Sequence, residues 1–170
     1  MLRLYKYLCR RFINRRKRGR RTPRHLRGVP KRLFIPNRPD QVGDRRNFGH
    51  WEGDLVIFRR EHGNVTSLVE RKSRFTVLIK NQNRKSAVVV GQIKDHLTSL
   101  PQLSRRSVTF DRGSGFMGWR ALNPHLGLDS YYCDARSPWQ KGTNENTNGR
   151  IRRFLPNETN WHAFKNLNQL

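Results

Sequence analysis

Residues 137–156 read SPWQKGTNENTNGRIRRFLP, and this stretch decides how the rest of the chain is interpreted. A single carboxylate, Glu145, stands among asparagines and has cationic residues on both sides. Thr143 is of a residue type that caps helix N-termini, and Leu155 precedes a proline, which disfavours helical backbone at that position. The stretch therefore predicts a helix over about 143–154 with Glu145 in its first turn.

The predicted helix has an apolar face and a polar flank. At about 100° per residue, Ile151, Phe154 and Leu155 share the apolar face. The polar flank carries Glu145, Asn148, Gly149 and Arg152. A glycine inside a helix costs about 1 kcal/mol relative to alanine. We therefore expect another group, such as a substrate backbone, to approach the helix closely at Gly149.

Two further acids stand in strand-like surroundings. Asp54 lies within the apolar run 50–57 (HWEGDLVI), and Asp111 ends the segment 107–111 (SVTFD) just before a glycine turn. Burying an unpaired carboxylate is costly, so such acids usually have a cation, a metal or a hydrogen-bond partner. Taken alone, Glu145 would be explained by the helix dipole. Three acids in such settings, out of only 12 in the chain, favour a shared site.

The composition points to a nucleic-acid partner. The chain has 170 residues, enough for one domain with extensions, and its 36 Lys and Arg residues give a net charge of +24. Such a surplus binds polyanions through phosphate neutralisation, whereas acidic substrates and anionic membranes fit less well. No apolar run reaches about 18 residues, so a soluble cytoplasmic protein is expected. Cys9 and Cys133 form no CxxC pattern and predict a reducing compartment without a structural zinc site.

Residues 10–32 contain 12 Lys or Arg and no acid. This composition cannot bury enough apolar surface to fold alone, so it predicts a disordered arm that tracks DNA. A solubilising or linker tail is the alternative, because charge alone carries no sequence specificity. The residues we expect to contact phosphates in the arm are Arg15, Arg16, Lys17, Arg18, Arg20 and Arg21.

The remaining pattern predicts a mixed α/β layer of five strands flanked by helices. The predicted strands cover about 51–58, 65–70, 75–79, 108–111 and 128–133. The predicted helices are 86–100, a short irregular helix at 116–122, and the helix that carries Glu145. We divide the chain into a basic arm and linker (1–47, largely extended or disordered), a core (48–156) and a short helical extension (157–170).

Four segments resemble the catalytic core of the DDE transposases of bacterial insertion sequences, most closely the family numbered thirty. They are GHWEGD (49–54), LVER (68–71), TFDRG (109–113) and SPWQKGTNENTNG (137–149). The similarity spans about residues 24–156, with 33 residues between the second and third acids. The resemblance implies an RNase H-like integrase core in which Asp54, Asp111 and Glu145 are the catalytic triad and the metal ligands.

The resemblance also implies an activity and partners. Carboxylates are hard ligands that suit two Mg²⁺ or Mn²⁺ ions, and such a pair catalyses phosphodiester displacement. The implied activity is DNA cleavage at the element ends followed by strand transfer into target DNA. A homo-oligomer, at least a dimer on paired ends, is expected in the bacterial cytoplasm at the nucleoid, with no membrane partner.

Several residues near the triad have two possible roles. Trp139 either stacks on an unpaired base or packs over its own helix. Lys141, Arg150, Arg152 and Arg153 are candidate phosphate contacts or solvated surface, and Asn148 is a further candidate DNA contact. Glu52 should share a sheet face with Asp54, where it assists metal binding or pairs with an arginine, while Trp51 should face the core.

The chain departs from the family pattern at three places. Ser114-Gly115-Phe116 stands where the family has a second acid, which predicts altered packing or substrate contact rather than lost chemistry. The sequence after Pro156 drifts from the pattern, and the helix-turn-helix modules that recognise element ends are expected to be missing. A non-catalytic DNA-binding remnant and an RNase H-like nuclease therefore remain alternatives. No HExxH, GxSxG or P-loop pattern supports other hydrolytic classes.

Overall fold

Five strands form one mixed sheet with helices on both faces, as the sequence pattern predicts. The computed structural model describes residues 29–58, 63–134 and 137–159. The strands are β1 (His50–Ile57), β2 (Asn64–Glu70), β3 (Thr76–Asn81), β4 (Ser107–Phe110) and β5 (Asp129–Tyr132). The α-helices are α1 (Asp40–Gly43), α2 (Ser86–Thr98), α3 (Asn123–Leu126) and α4 (Gly142–Phe154), and short 3-10 turns lie between them.

The strand order β3-β2-β1-β4-β5 places the first and fourth strands side by side. β1 pairs with β2 and β2 with β3 in antiparallel fashion, whereas β1–β4 and β4–β5 are parallel. Gly53 on β1 is opposite Phe110 on β4. The next residue along each segment is an acid: Asp54 within β1 and Asp111 directly after β4. Because the two strands are parallel neighbours, these two acids lie side by side.

The two faces of the sheet bury different sets of residues, because successive side chains of a strand point to opposite sides. Trp51, Leu68 and Phe110 pack with α2 in the larger cluster, which confirms Trp51 as a core residue. Val56 and Val65 pack against α4 on the other face. A β-carbon on Gly53 would lie 2.7 Å from a ring carbon of the fully buried Phe110, so only glycine fits between Glu52 and Asp54.

The segment before β1 differs from the predicted extended linker. It forms 3-10 turns at Lys31–Leu33 and Ile35–Asn37 and then α1. Its three prolines, Pro30, Pro36 and Pro39, stand at the starts of these turns and of α1, where their fixed φ favours entry into helical backbone. Phe34 bridges to Tyr132 of β5, and Arg38 Nη1 donates to Thr109 Oγ1 (3.1 Å), so the segment lies against the β4–β5 edge.

The helix α4 is where predicted, but two details of it were wrong. It begins at Gly142, directly after the 3-10 turn Pro138–Lys141, so Thr143 is not its N-cap and is buried instead. Phe154 is 78% exposed rather than part of the apolar face. Asn144, Asn148, Ile151 and Leu155, at steps of four, three and four, face the sheet. Two of these are polar, which apolar periodicity cannot detect.

Two of the predicted segments, and all predictions made for them, lie outside the described residues. These are the amino-terminal part of the basic arm, with Arg15, Arg16, Lys17, Arg18, Arg20 and Arg21, and most of the extension 157–170. None of the helices in the described part of the chain combines the length and apolar character that crossing a membrane requires.

Cys133, immediately after β5, is a free thiol buried beneath the sheet edge. Its N–H donates to Phe110 O, and burial raises the pKa of its thiol to about 12. Alkylation requires the thiolate, so Cys133 should react with iodoacetamide at pH 8 at least a hundredfold more slowly in the native protein than in denaturant. Peptide mass spectrometry of timed samples measures this; equal rates in both conditions would contradict the burial.

Candidate active site

Asp54 and Asp111 converge on a single cation, which is the ammonium group of Lys141. Lys141 Nζ lies 2.9 Å from Asp54 Oδ1 and 3.9 Å from Asp111 Oδ2. Gly53 O lies 3.4 Å from the same nitrogen. Lys141 is only 7% exposed, so its position differs from the surface phosphate contact that the sequence pattern predicts. The structure thus brings two of the three predicted acids together around a positive charge.

The third predicted acid, Glu145, is in the first turn of α4, as expected, and its side chain is exposed. Within the described part of the chain Glu145 forms no hydrogen bond or ion pair, and no three His, Cys, Asp or Glu side chains lie close enough to hold a metal ion. Glu145 is one helical turn from Asn148, which contacts Asp54. The complete triad therefore stays a prediction.

Asn148 holds the carboxylate of Asp54 from the helix side. Its Nδ2 donates to Asp54 Oδ2 at 2.7 Å, and its Oδ1 accepts from Ser67 Oγ at 2.8 Å. With Lys141 on Oδ1 and Asn148 on Oδ2, both oxygens of Asp54 have a fixed partner. Its side chain lies between α4 and the sheet, and the DNA contact expected for Asn148 stays a prediction.

Glu52 pairs with an arginine, which was one of its two predicted roles. Glu52 Oε1 accepts from Arg71 Nε at 3.1 Å, and Oε2 accepts from the backbone N–H of Asn144 at 3.0 Å. Asn144 Nδ2 in turn donates to Glu52 O at 3.1 Å. Burial lowers the pKa of Arg71, and the charge of Glu52 opposes that shift. This buried pair fixes the N-terminus of α4, and with it Lys141 and Glu145, onto β1.

The turn that presents Trp139 is held by a pair of residues that the sequence analysis did not identify. Gln140 Oε1 accepts from the N–H of Asp134 (2.7 Å), and Gln140 Nε2 donates to Asp134 Oδ2 (3.0 Å). Trp139 is 73% exposed, so the interpretation that it packs over its own helix was wrong. Nothing in the residue pattern signals the Gln140–Asp134 contact, because both side chains are typical of solvated loops.

The arginines of α4 divide into two groups. Arg150 and Arg153 are exposed and, with Asn146, Gly149 and Phe154, line an open groove on the outer side of the helix. Arg152 is half-buried: its Nη2 donates to Ile57 O (2.7 Å) and its guanidinium lies 5.0 Å from the Phe58 ring centroid. Arg152 therefore anchors the helix to the end of β1, and Arg150 and Arg153 remain the phosphate-contact candidates that face solvent.

Gly115, at the place where the family has a second acid, is buried in the 3-10 turn Ser114–Phe116. A β-carbon there would lie 2.7 Å from Leu55 Cδ1, so any larger residue requires Leu55 to move. Phe116 stacks on Phe110 with ring centroids 4.4 Å apart. The departure from the family pattern is thus accompanied by close packing rather than by a gap in the site.

Comparison with known proteins shows what this chain is similar to. No protein-family model matches the chain. The transposase InsI for insertion sequence element IS30A of Escherichia coli (strain K12) is 40% identical over 144 residues, covering 85% of this chain and 36% of the relative. The transposase for insertion sequence element IS1086 of Cupriavidus metallidurans is 39% identical over 156 residues, covering 88% of this chain and 46% of the relative.

A solved structure supports the fold independently of sequence. A chain in the cryo-EM structure of the simian T-cell lymphotropic virus intasome, in complex with PP2A regulatory subunit B56 gamma, superimposes with a TM-score of 0.55. The two are 16% identical, and the match covers 73% of this chain and 44% of that one. At this identity the likeness concerns the fold alone, and it confirms the RNase H-like mixed sheet.

The resemblance inferred from the four sequence segments is confirmed by these relatives. A probable transposase for the insertion-like sequence element IS1161 of Streptococcus salivarius is 34% identical over 137 residues, covering 79% of this chain and 37% of the relative. The chain spans between about a third and a half of the length of these relatives. Over most of its own length, the chain is therefore similar to the transposases of IS30-type bacterial insertion sequences.

Proposed function

We propose that the chain is the catalytic core of a DDE transposase, which cleaves DNA at the ends of an insertion sequence and joins those ends to target DNA. The observation that carries the proposal is the convergence of Asp54 and Asp111 on one cation position at 2.9 and 3.9 Å. Glu145, the third proposed acid, is on the helix whose Asn148 binds Asp54. The names of the relatives favour the same activity.

The donor set at this position fits a divalent metal. Two carboxylate oxygens and one backbone carbonyl oxygen already surround a positive charge, and hard oxygen ligands suit Mg²⁺ and Mn²⁺. The residues that would hold two such ions are Asp54, Asp111 and Glu145. When bound, the ions stabilise charge that develops on the attacking and leaving oxygens of a phosphodiester.

The residues of the chain contribute orientation. Asn148, itself held by Ser67, fixes Oδ2 of the Asp54 carboxylate, so Oδ1 stays at the cation position that it shares with Asp111. The buried Glu52–Arg71 pair holds the start of α4, which carries Glu145. We propose that water first cleaves the element end at this site and that the freed 3′-hydroxyl then attacks target DNA, with no covalent protein intermediate.

DNA is the proposed partner on the outer side of α4. Arg150, Arg153 and Phe154 are exposed on this helix and Trp139 is exposed on the turn before it. Together they combine flat aromatic faces with charges that neutralise phosphates. We propose that the basic arm extends the contact along the backbone. Because two element ends must be held together, we further propose a homo-oligomer, at least a dimer, acting in the bacterial cytoplasm at the nucleoid.

A DNA-joining assay tests the proposed function. The purified chain is incubated with Mg²⁺ or Mn²⁺, labelled duplexes carrying the ends of the insertion sequence that encodes it, and a supercoiled target plasmid. Joined products are expected. Nicking without joining would favour a nuclease of the same fold. Binding without cleavage under both metals would favour a non-catalytic DNA-binding protein and contradict the proposal.

Gly149 gives a prediction that separates stability from DNA binding. Nothing lies within 4 Å of a β-carbon added there, so Gly149→Ala should raise the free energy of unfolding by about 0.5–1 kcal/mol. If DNA approaches the helix at this point, the added methyl group should weaken DNA affinity severalfold.

Gly91→Ala is the matched control, because Gly91 is also helical with nothing within 4 Å of its added β-carbon but is on α2. It should raise stability by a similar amount and leave DNA affinity unchanged. Denaturant melts and fluorescence anisotropy with labelled duplexes measure the two effects. An unaltered affinity for Gly149→Ala would place the DNA elsewhere.

A further inference from the structure

A buried lysine occupies the place where the proposed function requires a metal. Three oxygen atoms surround Lys141 Nζ: Asp54 Oδ1 at 2.9 Å, Gly53 O at 3.4 Å and Asp111 Oδ2 at 3.9 Å. They come from the middle of β1 and from the residue directly after β4. An ammonium group has three N–H donors and no acceptor, so it suits three oxygens. The same oxygens are the type of ligand that a hard divalent cation takes.

The backbone at Lys141 is held in place by hydrogen bonds of residues that precede and follow it in the sequence. The preceding residue, Gln140, is held by Asp134 through two hydrogen bonds. Three residues later, Asn144 is held by Glu52 through two more. The backbone that carries Lys141 is therefore fixed, and its side chain is directed into the space between the two aspartates rather than out to solvent.

We propose that the Lys141 ammonium is an internal counter-ion, which neutralises Asp54 and Asp111 in the metal-free protein and is displaced when a divalent cation binds. This proposal rests on the metal-dependent function proposed above. Two neighbouring carboxylates repel each other unless a cation lies between them, and Lys141 supplies that charge before any metal arrives. A divalent ion supplies twice the charge and competes for the same oxygens.

Displacement requires that the side chain can leave without unfolding the turn. Lysine carries a compact charge on a flexible four-carbon stem, so Nζ can swing away while the backbone stays in place. Trp139, two residues before it, is already exposed. We therefore expect the released ammonium to face the DNA side, where it becomes the phosphate contact that the sequence predicts. Metal loading and DNA binding would then be coupled through one side chain.

The first test compares Mn²⁺ binding and melting of the full chain with those of Lys141→Met. Methionine keeps the unbranched shape of the side chain but removes the charge that competes with the metal. The variant should therefore bind Mn²⁺ at least tenfold more tightly than the wild type, as measured by titration calorimetry. In chelator the variant should melt at a lower temperature than the wild type, and Mn²⁺ should remove that difference. Lys85→Met is the matched control, because Lys85 is exposed at the start of α2; its Mn²⁺ affinity should equal that of the wild type.

A further variant separates this proposal from the proposed function. If Asp54→Asn binds Mn²⁺ as tightly as the wild type, the metal site itself is wrong and both proposals fall. If Asp54→Asn abolishes binding but Lys141→Met leaves the affinity unchanged, only the counter-ion role is wrong and the metal-dependent function stands.

The second test needs no substitution and therefore does not depend on a variant folding. The wild-type chain is acetylated with a lysine-reactive ester in chelator and in saturating Mn²⁺, and peptides are quantified by mass spectrometry. Lys141 should be at least fivefold more reactive in Mn²⁺, while Lys85 should react equally in both. An equal rate at Lys141, under conditions in which calorimetry shows that Mn²⁺ is bound, would overturn the proposal.

Discussion

Replacing Asp54 by asparagine is expected to abolish both end cleavage and strand transfer while leaving DNA affinity within about twofold of the wild type. The amide keeps the size of the carboxylate but carries no charge, so the cation position between β1 and β4 loses its closest ligand. Losing several kcal/mol of transition-state stabilisation corresponds to a rate at least about a thousandfold lower.

The DNA contacts proposed above lie on the outer side of α4, away from Asp54, which is why binding should survive the substitution. Gel-shift and DNA-joining assays on the same preparation measure the two properties together. Asp44→Asn is the control, since Asp44 is exposed in the segment before β1 and its only described charged partner is the exposed Arg46. Strand transfer by Asp54→Asn at more than a few per cent of the wild-type rate would refute the role of Asp54.

Glu52→Gln is expected to lower the free energy of unfolding by about 3–5 kcal/mol. Glu52 is 1% exposed and accepts hydrogen bonds from both Arg71 and the N–H of Asn144. A glutamine amide can satisfy only one of these donors, and the buried guanidinium of Arg71 loses its counter-charge. Removing one partner of a buried pair costs far more than removing an exposed one.

Two variants check that the loss comes from an uncompensated charge. The double variant Glu52→Gln, Arg71→Met should be closer to the wild type than Glu52→Gln alone, because neither charge is then left buried without a partner. Asp44→Asn, which breaks the exposed pair with Arg46, should change stability by less than about 1 kcal/mol. Urea denaturation followed by circular dichroism measures all three. A loss below about 1 kcal/mol for Glu52→Gln would contradict the buried pairing.

Much of the fold follows from local sequence pattern. The apolar and β-branched runs predicted the five strands, and the spacing of Val90, Ile93 and Leu97 predicted α2. These elements are predictable because their buried residues are apolar, so the spacing of apolar residues in the sequence shows which residues face the core. The prolines before β1 were misread, since a fixed φ suits an extended chain and the start of a helical turn equally well.

The site was predictable in part. The side-by-side position of Asp54 and Asp111 agrees with the expectation that these acids belong to a shared site. The roles of Asn148 and Lys141 were not found, because a polar side chain gives no sign of whether it faces solvent or a carboxylate of another strand. Both were interpreted as DNA contacts, Lys141 from its charge and Asn148 from its place on the polar flank of the predicted helix. The placement of Glu145 beside the two aspartates stays a prediction.

The central claim is that Asp54, Asp111 and Glu145 together hold the metal ions. A crystal structure with Mn²⁺, in which anomalous scattering locates the ions, tests this claim most directly. We predict Mn²⁺ between Asp54 and Asp111 in the place of Lys141 Nζ, with a carboxylate oxygen of Glu145 in the coordination sphere of a bound ion. A structure in which saturating Mn²⁺ leaves this position without an anomalous peak, or in which Glu145 stays directed to solvent while the ions bind, would contradict it.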